Sequence, residues 1–458
     1  MTKAKEKEMK VEIISKETIK PSSPTPNHLK DYKLSLLDQI APPSYETLLL
    51  FYSFNGDDDR QHHHHISVSK ANKLSLQLKQ SLSETLTRFY PLAGRVKDNI
   101  TIDCSDHGAV YVEAQVNCLL QDLLKQPNGD SVIQLVPIEL AEESKPGLLL
   151  FVQSSFFSCG GVAIGVCISH KIADAATVVT FIRSWAGAAA GDHRQVYYPS
   201  YNASSLFPPR DVTATAMLFL NPPFNVAMKE KCFTKRFVFY GPKIAALEAA
   251  LSVPSTRGEA VTALIWKCAV NASRSNSGVS KLSILSRSVD IRKITVPPLP
   301  DNSVGNFVGY YASQKDESDI QLQGLVRELR EGIQDFSKSY LQKLQREDAL
   351  EAITESCKDA IAILISNDVD LYVCNSLCDV SLYDIDFGWG NPTWVTNISS
   401  NAANHKNLVG LIDSSTGDGS IEAWVTLSEA DMALFERDPD LLCYAATFDY
   451  PSVLKSYL

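Results

Sequence analysis

The chain has 458 residues, of which 45% are hydrophobic and 21% charged, a balance typical of a globular protein. This length predicts two or three domains and leaves room for a cleft between them. The formal net charge of −10 argues against a nucleic-acid-binding protein, because such proteins hold phosphates with an excess of Lys and Arg.

The termini and the cysteines indicate where the protein works. The N-terminal stretch MTKAKEKEMKVEI is charged and lacks the apolar segment of a secretory signal peptide. The most apolar region, residues 147–168, is interrupted by Gln, Ser and Gly and is a poor membrane span. The ten cysteines show neither a disulfide framework nor the paired spacing of zinc ligands. We therefore expect a cytoplasmic protein that holds no metal.

Strand-like and helical stretches alternate along the chain. Runs of β-branched and aromatic residues predict strands at VEIISKETI, AVYVEAQV, LLLFVQSSFF, VAIGVCIS, KRFVFY, KLSILSRSVDI and IEAWVTL. A helix is predicted by leucines at steps of four, at Leu74, Leu78, Leu82 and Leu86, and similar spacing recurs in AVTALIWKCAV and IQLQGLVRELREGIQDF. Because the elements alternate without a strict repeating unit, they indicate a mixed α/β protein.

One long segment separates the two halves of the chain. Residues 187–230 have few periodic runs and contain five prolines: Pro199, Pro208, Pro209, Pro222 and Pro223. This composition is typical of a crossover between domains. We place the N-terminal domain at residues 1–190, the crossover loop at 191–225 and the C-terminal domain at 226–458.

A histidine lies where a buried strand meets a helix. His170 follows the apolar run Val162–Ile168 and precedes a helical pattern that begins around 173–176. Strand ends are favoured places from which a rigid scaffold presents a functional side chain. Asp174 stands where an N-cap acid stabilises a helix by about 0.5–2 kcal/mol. The H-x-x-x-D pattern alone leaves open a catalytic histidine or a polar turn followed by a helix cap.

A second landmark is the sequence DFGWG, which begins at Asp386. Its first three letters also occur in protein kinases, where the aspartate holds magnesium. The chain has no H-R-D-x-x-x-x-N loop, V-A-I-K strand or G-x-G-x-x-G loop, so a kinase is excluded. We interpret Gly388 and Gly390 as a tight bend around the indole of Trp389.

These two motifs, in this order, resemble the signature of the BAHD family of plant acyl-CoA-dependent acyltransferases. The resemblance covers nearly the whole chain, through VEIISKETIKPSSPTP, LSLLDQ, FYPLAGR, SHKIADAATVVTFIRSWA, SLFPPR, KRFVF, ALIWKC and VDIRKITVPPLPDNSVGN. The N-terminal stretch of the chain and its SHKIADA segment are most similar to the branch of the family that contains vinorine synthase and salutaridinol acetyltransferase. The resemblance implies an α/β fold of chloramphenicol-acetyltransferase type. Two similar-sized mixed-sheet domains would flank a channel, and a segment near 385–405 would pack with the N-terminal domain.

The family resemblance also implies an activity. Family members transfer an acyl group from a coenzyme A thioester to an alcohol, and we expect acetyl-CoA and a hydroxylated plant alkaloid or terpenoid. A larger acyl-CoA, an amine acceptor or a non-catalytic binding relative are the alternatives. A carrier-protein condensation enzyme is disfavoured, because that relative carries a doubled histidine where Ser169 precedes His170. The implied protein is a monomer with acyl-CoA as co-substrate and no permanently bound cofactor.

The implied reaction assigns roles to the motif residues. An alcohol is a poor nucleophile, so a base must take its proton, and we expect His170 to do so with a pH profile rising through about 6–7.5. The resemblance implies that Trp389 donates to the oxyanion and that Asp174 pairs with Arg292 of VDIR. Asp386 would stabilise its bend more than it would act in catalysis.

Further residues are expected to support the site. Gly388, Gly390 and Asn306 of DNSVGN would shape it. Lys235 and Arg236 in FTKRFVF are candidates to hold the phosphates of coenzyme A. Because successive strand residues face opposite sides, at most one of these two cations can point into the site.

Overall fold

The computed structural model of the chain describes residues 9–54, 68–125, 127, 129–143, 147–192, 196–220, 231–316, 320–344, 346–365, 369–397 and 406–447. Its strands are β1 Val11–Ile19, β2 Asp31–Lys33, β3 Tyr45–Tyr52, β4 Arg95–Val96, β5 Thr101–Asp103, β6 Ala109–Val116, β7 Leu150–Phe157, β8 Val162–Ser169, β9 Cys232–Phe239, β10 Leu282–Asp290, β11 Val308–Asp316, β12 Val369–Leu377, β13 Trp394–Thr396, β14 Leu408–Asp413, β15 Ile421–Ser428 and β16 Ala445–Thr447. Its helices are α1 Leu36–Ile40, α2 Val68–Arg88, α3 Leu120–Lys125, α4 Gly129–Ile133, α5 Ile138–Glu143, α6 Ala175–Ala190, α7 Ala203–Leu206, α8 Ala214–Leu220, α9 Gly241–Ala250, α10 Arg257–Ser277, α11 Leu322–Leu344, α12 Ala349–Ile365, α13 Glu429–Phe435 and α14 Pro439–Tyr444.

Two large sheets organise the chain. The N-terminal sheet has six strands in the order β1-β6-β7-β8-β3-β13, and the C-terminal sheet has seven in the order β11-β10-β12-β14-β15-β9-β16. Each is mixed, since β6 and β7 are parallel in the first sheet and β10, β12 and β14 are parallel in the second, while the other pairs are antiparallel. A small sheet, β2-β5-β4, lies apart from both. The predicted α/β fold with two mixed-sheet domains is confirmed.

The strand before His170 lies inside the N-terminal sheet. β8 pairs with β7 on one side and β3 on the other, and all its residues are buried. This burial on both faces explains why Val162–Ile168 is continuously apolar rather than alternating. The buried leucines of α2 pack with α6, and the Trp185 indole nitrogen donates to the carbonyl oxygen of Leu78 at 3.1 Å.

The N-terminal sheet takes its last strand from the far half of the chain. β13 pairs antiparallel with β3, with Trp394 opposite Phe51, and their rings stack at 5.1 Å between centroids. This strand belongs to the segment near 385–405 that we expected to pack with the N-terminal domain. Residues 398–405 of that segment lie outside the described residues.

The crossover between the two halves contains local structure. We expected a loop over residues 191–225, but the described part holds the short helices α7 and α8. Residues 193–195 and 221–230 are outside the described part of the chain. Among the described residues, no helix is long and apolar enough to cross a membrane.

Candidate active site

His170 follows β8 directly and lies where the two domains meet. Its backbone N–H donates to the carbonyl oxygen of Ser44 at 2.8 Å, just before β3, so the backbone of both strands fixes its position. The residue is only 8% exposed. A histidine that follows one strand and is hydrogen-bonded to the start of its neighbour has little freedom to move, and a pre-positioned base requires this rigidity.

Asn306 from the C-terminal half of the chain fixes the imidazole. Its side-chain oxygen Oδ1 lies 2.7 Å from Nδ1 of His170. Its amide nitrogen Nδ2 donates to the His170 carbonyl oxygen at 2.6 Å and to Oδ1 of Asp38 at 2.9 Å. Because Nδ2 faces two acceptors, Oδ1 must be the atom that faces the ring. The Nδ1 atom therefore carries a hydrogen and donates it to Asn306.

Asp38 supports this amide from beneath. It is fully buried, and its other oxygen, Oδ2, accepts from the backbone N–H and the hydroxyl of Ser35 at 2.9 and 2.7 Å. These two residues form the capping box of α1. Burial raises the pKa of Asp38, while the hydrogen bonds from Ser35 and Asn306 favour its charged form. The cap of a short helix thus orients the amide that orients His170.

The second ring nitrogen of His170 faces a carboxylate. Nε2 lies 3.0 Å from Oε1 of Glu46, near the start of β3. Burial disfavours the imidazolium, but the charge and hydrogen bond of Glu46 and the hydrogen bond to Asn306 outweigh it and raise the pKa of His170 to about 9. The base of the free enzyme is therefore protonated at neutral pH.

This geometry changes the expected pH profile. A base works in its neutral form, so a raised pKa moves activity to higher pH; we expect kcat/KM to rise through about 9 rather than through about 6–7.5. The raised pKa also means that the folded protein holds the His170 proton more tightly than the unfolded chain does. Its contribution to the free energy of unfolding is complete below the usual histidine pKa of about 6.5. It is lost as the pH rises through about 9. Initial rates at low acceptor concentration, buffered across this range, measure the profile. A rate that is constant with pH would contradict it.

Asp174 points away from His170 and into a buried ion pair. It is the N-cap of α6, where its Oδ1 accepts from the backbone N–H of Thr177 at 2.8 Å. Arg292 donates to its two oxygens at 2.7 and 3.0 Å, and both side chains are 1% exposed. Burial alone would raise the pKa of Asp174, but the guanidinium reverses this and leaves it lowered. Asp174 thus joins the start of α6 to the C-terminal half of the chain.

Asp386 closes a tight bend. Its Oδ1 accepts from three backbone N–H groups, those of Gly388, Trp389 and Gly390, at 2.7, 2.9 and 2.8 Å. The two glycines have φ of 91° and 106°, values that L-residues with a side chain rarely adopt. A carboxylate that binds three N–H groups of its own loop stabilises that loop.

The two glycines of the bend allow a controlled test. A Cβ at Gly388 would come within 3.0 Å of Ala190 Cα, whereas a Cβ at Gly390 would meet no atom within 4 Å. We expect Gly388→Ala to lower the free energy of unfolding by about 1–3 kcal/mol, from strain and from the contact with α6. Gly390→Ala carries the φ strain alone and is the matched control. Equal denaturation midpoints for the two variants would contradict this account.

Trp389 does not lie beside His170. Its ring packs against Tyr52 and Phe54, with centroids 5.9 and 5.6 Å away, past the end of β3 that is opposite to Glu46. The strand between Glu46 and Tyr52 spans roughly 20 Å at about 3.3 Å per residue. The indole nitrogen makes no hydrogen bond within the described residues, yet it is too far from the imidazole to donate to an oxyanion formed there. The expected oxyanion role for Trp389 is wrong.

A cleft runs between the domains next to Glu46. Its volume is about 210 Å³ including open solvent, and its lining residues are Glu46, Thr47 and Leu48 of β3, Ala175, Val178 and Val179 of α6, Leu377 at the end of β12, and Asn397 after β13. Leu377 is the contribution of the C-terminal sheet to this cleft, and the other lining residues belong to β3, α6 and the position after β13. An extended ligand lying in this cleft would reach the carboxylate that contacts His170.

Comparison with known proteins identifies the family. The model of the Transferase family matches residues 9–442. A BAHD acyltransferase of Arabidopsis thaliana is 36% identical, with 96% of this chain and 98% of that protein covered. This chain belongs to the BAHD acyltransferases. The resemblance seen in the sequence is thereby confirmed, and the protein is an acyltransferase.

Other relatives and solved structures agree. Akuammiline synthase 1 of Alstonia scholaris is 38% identical, covering 95% of this chain and 98% of its own. Epi-neemfruitin B 7-O-acetyltransferase of Melia azedarach is 36% identical over the same shares. Vinorine synthase superposes with a TM-score of 0.78 at 31% identity, covering 96% of this chain and 100% of its own. F. sporotrichioides TRI101, crystallised with coenzyme A and T-2, shares the fold at 18% identity and a TM-score of 0.69.

The two cations expected to hold coenzyme A differ in this BAHD acyltransferase. Arg236 is buried and donates to both oxygens of Glu422 at 2.8 and 3.0 Å, so it is not open to a phosphate. That expectation is wrong for Arg236, because its guanidinium already neutralises a buried carboxylate. Lys235 faces the opposite side, as strand geometry requires; its side chain is 45% exposed and pairs with Glu436.

Sequence reasoning missed three residues that surround the base of this BAHD enzyme. Ser35 and Asp38 have the spacing of a capping box in LSLLDQ, a signal that predicts a helix start but not its contact with Asn306. Glu46 lies near the start of β3, before its apolar run from Leu48 to Tyr52, and a carboxylate at that position was the only available signal. Among the described residues, no group of three or more His, Cys, Asp or Glu side chains could hold a metal.

Proposed function

We propose that this enzyme transfers an acetyl group from acetyl-CoA to a hydroxyl of a plant alkaloid or terpenoid, with His170 as general base. The observation that carries the proposal is the orientation of the imidazole. Asn306 binds the Nδ1 hydrogen, so Nε2 is the nitrogen that accepts a proton, and it faces the side chain that lines the interdomain cleft. Similarity to akuammiline synthase 1 of Alstonia scholaris and to a limonoid 1-O-acetyltransferase of Citrus sinensis supports the acceptor class.

The reaction uses one base. Nε2 takes the proton of the acceptor hydroxyl as its oxygen attacks the thioester carbonyl, forming a tetrahedral intermediate. The carbon–sulfur bond then breaks, and the imidazolium returns the proton to the sulfur. The products are the acetyl ester and free coenzyme A. A thiolate is a good leaving group, since thiol pKa values lie near 8.5, so no second acid is needed.

The remaining groups position this base. Asn306 and Asp38 hold the ring, and Asp174 with Arg292 fixes the connection that carries it. Lys235 is the exposed one of the two expected cations and is proposed to reach a coenzyme A phosphate. The enzyme is proposed to act as a cytosolic monomer. Ten cysteines without a disulfide support a reducing compartment.

The acceptor can be found directly. The enzyme is incubated with acetyl-CoA and a metabolite extract of the source plant, and products that gain the mass of one acetyl group are sought by mass spectrometry. A parallel reaction with His170→Ala separates enzymatic from spontaneous acetylation. If neither an acetylated product nor free coenzyme A accumulates above that control, acyl transfer from acetyl-CoA is refuted.

A further inference from the structure

Glu46 occupies the place where the acceptor hydroxyl must bind. Its Oε1 is 3.0 Å from Nε2 of His170, the distance at which the reacting oxygen would have to stand. Its side chain is 27% exposed, on the side of β3 that lines the cleft with Leu48, Val178 and Val179. Most of the wall around it is aliphatic, with Thr47 and Asn397 as the polar members of the lining. A half-buried carboxylate in such a setting is stabilised by a neighbouring cation.

This contact is incompatible with catalysis. The one ring hydrogen of a neutral His170 is on Nδ1 and is donated to Asn306. Nε2 then carries only a lone pair, and a carboxylate oxygen repels it. The pair with Glu46 is therefore favourable only when the ring is the imidazolium. An imidazolium cannot take a proton from an alcohol. The arrangement in the free enzyme at neutral pH is therefore a resting state, and a cation that takes the place of the imidazolium beside Glu46 frees the base for turnover at that pH.

The nearby cations of the described residues are already engaged. Arg292 is held by Asp174 and Asp290. The ammonium of Lys171 donates to the carbonyl oxygen of Gln39 at 2.8 Å. Neither one reaches the Glu46 carboxylate.

The other titratable groups around the ring cannot supply the charge. Asp38 and Asp174 are carboxyl groups held in networks of their own, and a carboxyl group carries no positive charge. On β11, Tyr310 has its pKa raised to about 12 by desolvation and by the carboxylates of Glu46 and Asp174, so it stays a neutral phenol. Among the described residues no side chain is placed to supply this charge, and a cation carried by the acceptor can.

We propose that Glu46 selects acceptors that carry a protonated amine. The proposal deepens the acyl transfer proposed above and rests on it. The ammonium of the acceptor pairs with Glu46, the proton of His170 is released to solvent, and the freed Nε2 receives the hydroxyl. Three links of about 3 Å each, from the amine nitrogen to the Glu46 carboxylate, on to Nε2 and then to the hydroxyl, place the amine nitrogen within roughly 9 Å of the reacting oxygen. The acceptor is then an amino alcohol of the alkaloid class rather than a neutral terpenoid.

A matched pair of alcohols tests the proposal. N-methyl-4-piperidinemethanol carries a tertiary amine that is protonated at neutral pH, and 4-methylcyclohexanemethanol is its neutral analogue of similar shape. The initial rate of coenzyme A release gives kcat/KM for each alcohol with acetyl-CoA. The enzymes are wild type, Glu46→Gln and Glu84→Gln, the last removing an exposed carboxylate of α2.

We expect wild type and Glu84→Gln to prefer the amine by roughly 10–100-fold, and Glu46→Gln to lose that preference, as for one partner of a hydrogen-bonded charge pair. Equal kcat/KM of wild type for both alcohols, or an unchanged preference in Glu46→Gln, overturns the proposal. The proposed function is tested separately. If the wild type transfers acetyl groups and His170→Ala does not, that function stands even when the amine preference is absent.

A second readout does not depend on turnover. The ring nitrogen resonances of His170 in ¹⁵N-histidine-labelled wild-type enzyme report its pKa, with His170→Gln for assignment. Saturation with N-methyl-4-piperidinemethanol is expected to lower that pKa by about one unit or more, and the neutral analogue to leave it unchanged. An equal response to both alcohols overturns the proposal even where both are poor substrates.

Discussion

His170→Ala is expected to lower kcat/KM about a hundred- to ten-thousand-fold, because the variant lacks the group that takes the proton of the acceptor. The variant should fold, since the imidazole contributes two side-chain contacts, to Asn306 and Glu46, and leaves the paired backbone of β8 and β3 intact. Coenzyme A binding should be retained. Initial rates, calorimetric titration with coenzyme A and circular dichroism measure the three properties.

A second histidine provides the control for this variant. His107 pairs with Asp103 at 2.9 Å, and its side chain is 31% exposed. His107→Ala should leave the rate unchanged, which excludes an unspecific effect of losing an imidazole. A folded His170→Ala enzyme with nearly normal turnover would show that another group takes the proton.

Asp174→Ala is expected to lower the free energy of unfolding by about 3–5 kcal/mol, because it leaves the Arg292 charge buried without its main partner. The substitution also removes the N-cap of α6. Activity should fall with the folded fraction and recover on cooling or in stabilising osmolyte. Denaturant unfolding followed by tryptophan fluorescence measures the loss.

An exposed ion pair is the control for Asp174. Lys97 and Asp31 lie 3.1 Å apart with side chains 56% and 63% exposed, and Lys97→Ala should not change the unfolding midpoint measurably. If Asp174→Ala unfolds like wild type but has lost its activity, Asp174 acts in the chemistry and not as a support. The two motif residues would then have to be treated as one catalytic pair.

Local patterns were sufficient where one short segment determines the structure. The uninterrupted apolar run before His170 predicts a strand buried on both faces, and β8 is such a strand. Asp174 has the position of an N-cap, and it caps α6. The ordered motifs were sufficient to predict the family and its two mixed sheets, because they are distributed over the whole chain.

Contacts between distant segments could not be predicted in the same way. Asn306 and Asp38 are 268 residues apart, and no periodicity relates them. DFGWG indicates a bend, but its letters do not say which end of β3 the bend packs against, which is why Trp389 was misplaced. Arg236 and Lys235 have the same charge in the sequence, yet only the fold shows that Glu422 already neutralises the first.

The strand β13 has a consequence for how the protein is made. Ser53, beside β3, hydrogen-bonds to Thr393, beside β13, across 340 residues. At a synthesis rate of about 5–20 residues per second, β13 therefore leaves the ribosome about 20–70 s after β3. Until then an apolar strand, buried from Leu48 to Tyr52 in the finished protein, is an open sheet edge. The nascent N-terminal half should therefore be a client of ribosome-associated chaperones, and expression as two separate halves should yield aggregates.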